Sequence, residues 1–86
     1  MKIKDGFILR KVAGENIVVP SGTELNLNML ITLNETGRFL WEHLEKGATE
    51  EELVSALLGE YDVSEDDARE SVSEFVEKLV KNGFLE

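Results

Sequence analysis

The chain has 86 residues, 42% of them hydrophobic, with one proline and no cysteine, which describes one thin-cored globular domain (1–86) burying roughly 60–65% of the surface its unfolded chain would expose. Lack of cysteine excludes a disulfide framework and a thiolate metal site, and no apolar run is long enough for a signal peptide or a bilayer span, so a cytoplasmic protein is expected. The net charge of −9 is unevenly placed, four bases against three acids up to Leu33 and five against fifteen from Asn34 onward, a field that repels phosphate backbones and anionic lipid and attracts basic partners.

The first third of the chain has strand character. Phe7 to Val12 is β-branched and apolar enough for one strand, Ala13-Gly14-Glu15-Asn16 supplies turn chemistry, and Ile17 to Val19 forms a second strand ended by Pro20. After a turn at Ser21-Gly22, Leu25, Leu27, Met29, Ile31 and Leu33 recur at a period of two, which predicts a third strand, strongest from Met29 to Leu33.

The remainder has helical periodicity. Asn34 is a fitting N-cap, and Gly37, Leu40, Trp41 and Leu44 fall at i, i+3, i+4 and i+7 along one inward seam that Gly47 stops. A glycine inside a helix costs about 1 kcal/mol relative to alanine, so Gly37 on that seam implies close approach of another backbone. Thr49 to Glu52 is a capping box that opens a second helix, with Val54, Leu57, Leu58 and Tyr61 at helical spacing. Ser64 opens a third, with Val63 placed to staple onto Ala68. Ala68, Val72, Phe75, Val76, Leu79 and Val80 form its apolar stripe, and Glu65/Arg69, Glu74/Lys78 and Glu77/Lys81 are spaced i, i+4 in the favourable order. Gly83 fits a left-handed C-cap that folds Phe84 back onto Leu79. The fold class is therefore α+β: a three-stranded antiparallel sheet followed by three helices, winged-helix-like in its closing helix pair.

No catalytic constellation is assembled. His43, the one histidine, lies beside Glu42 and Glu45 on the polar side of its helix, where a surface role is expected over general-base work. The acidic clusters Glu50-Glu51-Glu52 and Asp66-Asp67 occupy first helical turns, where carboxylates meet the positive end of the macrodipole, so no metal is needed to explain them. No calcium-loop or phosphate-cradle spacing occurs. The expectation is a protein that is not an enzyme and holds neither metal nor cofactor.

A helix-turn-helix raises DNA binding, but the first turns of the third helix carry Glu65, Asp66, Asp67 and Glu70 against Arg69 alone, and carboxylates there repel a polyanion. A winged-helix regulator is therefore the weaker alternative, and neither nucleic acid nor membrane is an expected partner. The third strand is more informative. In a meander of order one-two-three the first and third strands are edges, and natural edges are guarded by charge or proline. Arg10 and Lys11 guard the first, whereas Leu25 to Asn34 holds no charged residue and no proline. Such an edge suits an added peptide strand beside the third helix, whose acids favour Lys or Arg in the guest. The other reading is an edge covered by the chain's own helices or by a second copy in a structural dimer, so monomer and homodimer both remain open.

The run Ile31 to Gly37, followed by Phe39-Leu40-Trp41, Gly47, Thr49 to Leu53, Tyr61 and the closing segment from Phe75 to Leu85, resembles the PqqD family, the small proteins of pyrroloquinoline quinone biosynthesis. The resemblance runs over roughly the whole chain. It implies a non-catalytic, winged-helix-like peptide-recognition domain that holds the leader of a ribosomally made precursor as an added strand along the third strand. It further implies presentation of that precursor to a modifying enzyme, often a radical S-adenosylmethionine enzyme. Carried onto this chain, the strand face is Asn28, Met29, Leu30, Ile31, Thr32 and Leu33. The helix face is drawn from Arg69, Val72, Ser73, Val76 and Leu79, of which Val72, Val76 and Leu79 read equally as plain core.

Overall fold

The computed structural model describes residues 1–20 and 31–86. Three strands, β1 (Phe7–Val12), β2 (Glu15–Pro20) and β3 (Ile31–Leu33), precede three helices, α1 (Glu35–Lys46), α2 (Glu50–Glu60) and α3 (Glu65–Lys81). The sheet has the order β1-β2-β3 and is antiparallel throughout. This is the α+β arrangement that the period-two and period-3.6 patterns imply, and the likeness to a winged helix is a loose one.

The β1–β2 turn is tighter than its composition suggests. Only Ala13 and Gly14 make it, with φ of 52° and 84°, and Val12 pairs directly with Glu15. Two successive left-handed residues match the strand twist in a two-residue hairpin. Glu15 and Asn16, expected in the turn, therefore belong to β2. This shift of two residues places the Asn16 side chain in the interior, where it is 3% exposed. The strand expected from Leu25 is observed over Ile31–Leu33, the remainder of that segment lying outside the described residues.

The helices start where the caps predict. The Gly37 amide donates to Asn34 Oδ1 at 2.7 Å, and Thr49 and Glu52 exchange the two bonds of a capping box. The Asp67 amide donates to Ser64 Oγ at 3.1 Å. At the end of α3, Gly83 takes φ of 75°, its amide donates to the Val80 carbonyl and that of Phe84 to the Leu79 carbonyl, which is the bond pair of a Schellman ending.

Leu40, Trp41, Leu44, Leu53, Val54, Leu57, Ala68, Val72, Val76, Leu79 and Phe84 build the core with Val18 and Leu33 from the sheet. Three residues on the expected apolar positions face outward: Leu58 is 38% exposed, Val63 42% and Val80 61%. Leu53, not assigned to the seam, is fully buried instead. Gly37 is approached closely, but by side chains rather than by a backbone. A Cβ there would meet Asn34 Oδ1 at 3.2 Å, and Leu33 Cβ and Phe75 Cε1 at 3.4 Å each.

The opening residues carry structure that no pattern announced. The Ile3 amide donates to the Leu44 carbonyl, the Lys4 amide to the Phe84 carbonyl and the Glu86 amide to the Lys2 carbonyl, and Ile3 bridges Leu85 in antiparallel fashion. Phe84 is thereby held edge-on to Phe7 and Trp41, with ring centroids at 4.6 and 5.7 Å.

Candidate functional site

The free side of β3 is the first element of the site. Ile31, Thr32 and Leu33 pair with Val18, Ile17 and Asn16 of β2, and among the described residues no strand lies on the other side. Backbone donors and acceptors on such an edge are the recognition groups for a strand from another chain.

A buried polar cluster fixes the end of that strand. Asn16 Nδ2 donates to the Leu33 carbonyl at 3.3 Å and to Glu35 Oε1 at 3.4 Å, while Arg38 Nη1 donates to Asn16 Oδ1 at 2.8 Å. Arg38 Nε also donates to Glu42 Oε1 at 3.1 Å, so one amide joins β2, the last residue of β3 and the first turns of α1. A buried amide satisfied on both its atoms is rigid and tied to one arrangement. Nothing in the strand periodicity marks Asn16, because the expected turn absorbed it.

Directly after β3 opens a groove of about 300 Å³ bounded by Asn34, Thr36, Gly37 and Leu40 on one wall and by Ser71, Glu74, Phe75 and Lys78 of α3 on the other. The absent side chain of Gly37 makes room for the Phe75 ring, and its amide holds the Asn34 cap, so this glycine shapes the groove. Ser71, Glu74, Phe75 and Lys78 stand at i, i+3, i+4 and i+7, a stripe beside the core stripe of the same helix. The signal that could have found them is Phe75, the one aromatic residue of the apolar stripe and only half-buried.

The residues assigned to the site from sequence distribute as follows. Ile31 and Leu33 are half-buried and buried, and Thr32 is exposed; Asn28, Met29 and Leu30 lie outside the described residues. Val72, Val76 and Leu79 are buried in the core, the packing alternative their spacing allowed. Ser73 is exposed and is not among the groove-lining residues. Arg69 is turned toward α2, where Nη1 and Nη2 donate to the two carboxylate oxygens of Glu51 at 2.7 and 3.1 Å, and Nε donates to Glu65 at 3.3 Å. The two-pronged bond to Arg69 holds the Glu51 carboxyl below its ordinary pKa, chiefly by hydrogen bonding and then by charge. The same carboxylates raise the pKa of Arg69. The one base near the start of α3 is thus already neutralised by acids of its own chain, which leaves the first turns to Glu65, Asp66 and Asp67 and opposes a DNA-reading role.

His43 is half-buried, its Nδ1 within hydrogen-bond distance (2.9 Å) of the Phe39 carbonyl and its ring 4.5 Å from that of Phe39. A nitrogen beside a carbonyl oxygen carries the proton, which commits this one to a helix bond. Among the described residues no group of three His, Cys, Asp or Glu could hold a metal ion, and no helix is long and apolar enough to cross a membrane.

Comparison with known proteins agrees with this geometry. The family described as Coenzyme PQQ synthesis protein D (PqqD) matches residues 15–85. Among solved structures, TbiB1 in complex with the TbiA(beta) leader peptide is 27% identical, with a TM-score of 0.79 over 100% of this chain and 95% of that one. A lasso peptide synthetase B1 complexed with the leader peptide has the same fold at 19% identity, with a TM-score of 0.73 over 96% of this chain and 93% of that one. No curated protein matches the chain.

Proposed function

The chain belongs to the PqqD family, and on that premise we propose that it is a non-catalytic adaptor, a single cytoplasmic domain that captures the leader of a ribosomally made precursor peptide and presents it to a modifying enzyme. The observation that carries this reading is β3, paired on one side alone among the described residues, with the α1–α3 groove opening at its end. A leader laid against Ile31–Leu33 gains main-chain hydrogen bonds along its length, and side chains on one of its faces enter the groove. The similar TbiB1 is solved with a leader peptide, which supports the same use here. Leu30, Met29 and Asn28 extend the proposed strand face, and a radical S-adenosylmethionine enzyme is one candidate for the partner.

Calorimetric titration with the precursor peptide encoded beside the gene tests the proposal. Binding at micromolar affinity or tighter is expected. Proline placed in turn at each position of the leader, which leaves the protein untouched, should weaken binding at least about tenfold at alternate positions, where a ladder donor is lost. Uniform tolerance of proline along the leader would remove strand addition as the mode of capture. Light scattering across a concentration series distinguishes a dimer that seals β3 against its twin, since such a dimer would compete with the peptide.

A further inference from the structure

The helices hold five pairs of opposite charge at i, i+4, and three of them close. Glu65–Arg69 does so at 3.3 Å, Glu77–Lys81 at 3.2 Å and Arg38–Glu42 at 3.1 Å. Of the two that stay open, Glu42 of the Glu42/Lys46 pair is already held by Arg38, whereas Glu74 and Lys78 stand in the same favourable order on the same helix as two of the closed pairs. Yet neither side chain has an ion-pair partner among the described residues, and both line the groove with Phe75 between them.

Resting on the leader-binding reading, we propose that Glu74 and Lys78 are specificity determinants that select a leader bearing a basic and an acidic side chain two residues apart. For a guest strand that runs along α3, the spacing follows from geometry. Four residues of helix advance about 6 Å, and two residues of extended strand, which return a side chain to the same face, advance about 6.6 Å. One guest side chain therefore meets Glu74 while its neighbour on that face meets Lys78. The residue between points away, which leaves its identity free. The half-buried Phe75 lines the same groove and offers apolar contact to the stems of long charged side chains. Because both residues are exposed, each pair contributes modestly. The effect is one of discrimination more than of raw affinity.

A charge-swap cycle with the precursor peptide encoded beside the gene is the test. The variant Glu74→Lys/Lys78→Glu, unchanged in net charge, should bind the native leader about 3- to 10-fold more weakly, as expected when two exposed attractions become repulsions. A leader with its own two charges exchanged should restore binding to that variant and lose it with the wild type. The matched swap Glu77→Lys/Lys81→Glu, away from the groove, should leave affinity within about twofold. Binding by the wild type that is indifferent to the Glu74/Lys78 swap, or equally sensitive to the control swap, overturns the inference and leaves leader capture standing. No binding by the wild type overturns leader capture, and the inference with it. Circular dichroism of both variants confirms that folding is retained.

Discussion

Asn16 offers the sharpest test of how this fold holds its open strand. In Asn16→Ala the Arg38 guanidinium loses its 2.8 Å acceptor and the buried Leu33 carbonyl loses a donor at 3.3 Å. A hydrogen bond to a charged group contributes about 1.5–3 kcal/mol, and an orphaned buried acceptor costs about 1–3 kcal/mol. Arg38 is part-exposed and keeps Glu42, so the first figure falls to about 1 kcal/mol, and the long bond to Leu33 puts the second near its lower end. Adding the small void left by the missing amide, the total is about 2–4 kcal/mol, or a fall in Tm of roughly 10–25 °C for a domain of this size. The single Trp41, fully buried beside Phe84, reports unfolding by fluorescence in a urea titration. A double-mutant cycle with Arg38→Ala should give a coupling of at least about 0.5 kcal/mol. A loss below about 1 kcal/mol with no coupling would refute the view that this amide braces β3 to α1.

Other expectations follow from single positions. Glu51→Gln removes the partner of Arg69. Because the folded pKa of Glu51 is depressed, the stability it contributes is present above the ordinary carboxylate range and is lost as pH falls through the lowered value. Wild type and variant should therefore differ at neutral pH and converge in acid, as followed by thermal unfolding at a series of pH values. Gly83→Ala forces a β-carbon into a left-handed position and should cost about 1–2 kcal/mol. Gly59→Ala, where a β-carbon meets nothing within 4 Å, should instead stabilise α2 by up to about 1 kcal/mol; the two variants moving Tm in the same direction would contradict the reasoning. Thr49→Ala opens the capping box and should cost about 1 kcal/mol in the same assay.

The elements with strong local rules were legible in the sequence. Asn34, Thr49 and Ser64 cap as their chemistry dictates, and Gly83 ends α3 with the expected pair of bonds. The strand order, with β3 at the edge of the sheet among the described residues, followed from alternation and turn chemistry. What escaped depends on contacts between residues distant in sequence. The Ala13-Gly14 turn is shorter than its composition allows, and this put Asn16 inside. The Ile3–Leu85 bridge rests on no periodicity. On α3 the helical stripe places core and groove side by side, and only the packing of α1 at Gly37 decides that Phe75 and Lys78 face the groove while Val72 and Val76 do not.

The union of the first and last segments has a bearing on how the protein comes into being. Phe84 follows α3, the last helix, yet its ring completes the aromatic cluster around Trp41, and its carbonyl binds the Lys4 amide. Contacts between residues so far apart in sequence carry a large loop-closure cost and form late. During synthesis the hairpin and the first two helices can emerge and order locally, but the interior stays unsealed on one side until the segment carrying Phe84 has left the ribosome.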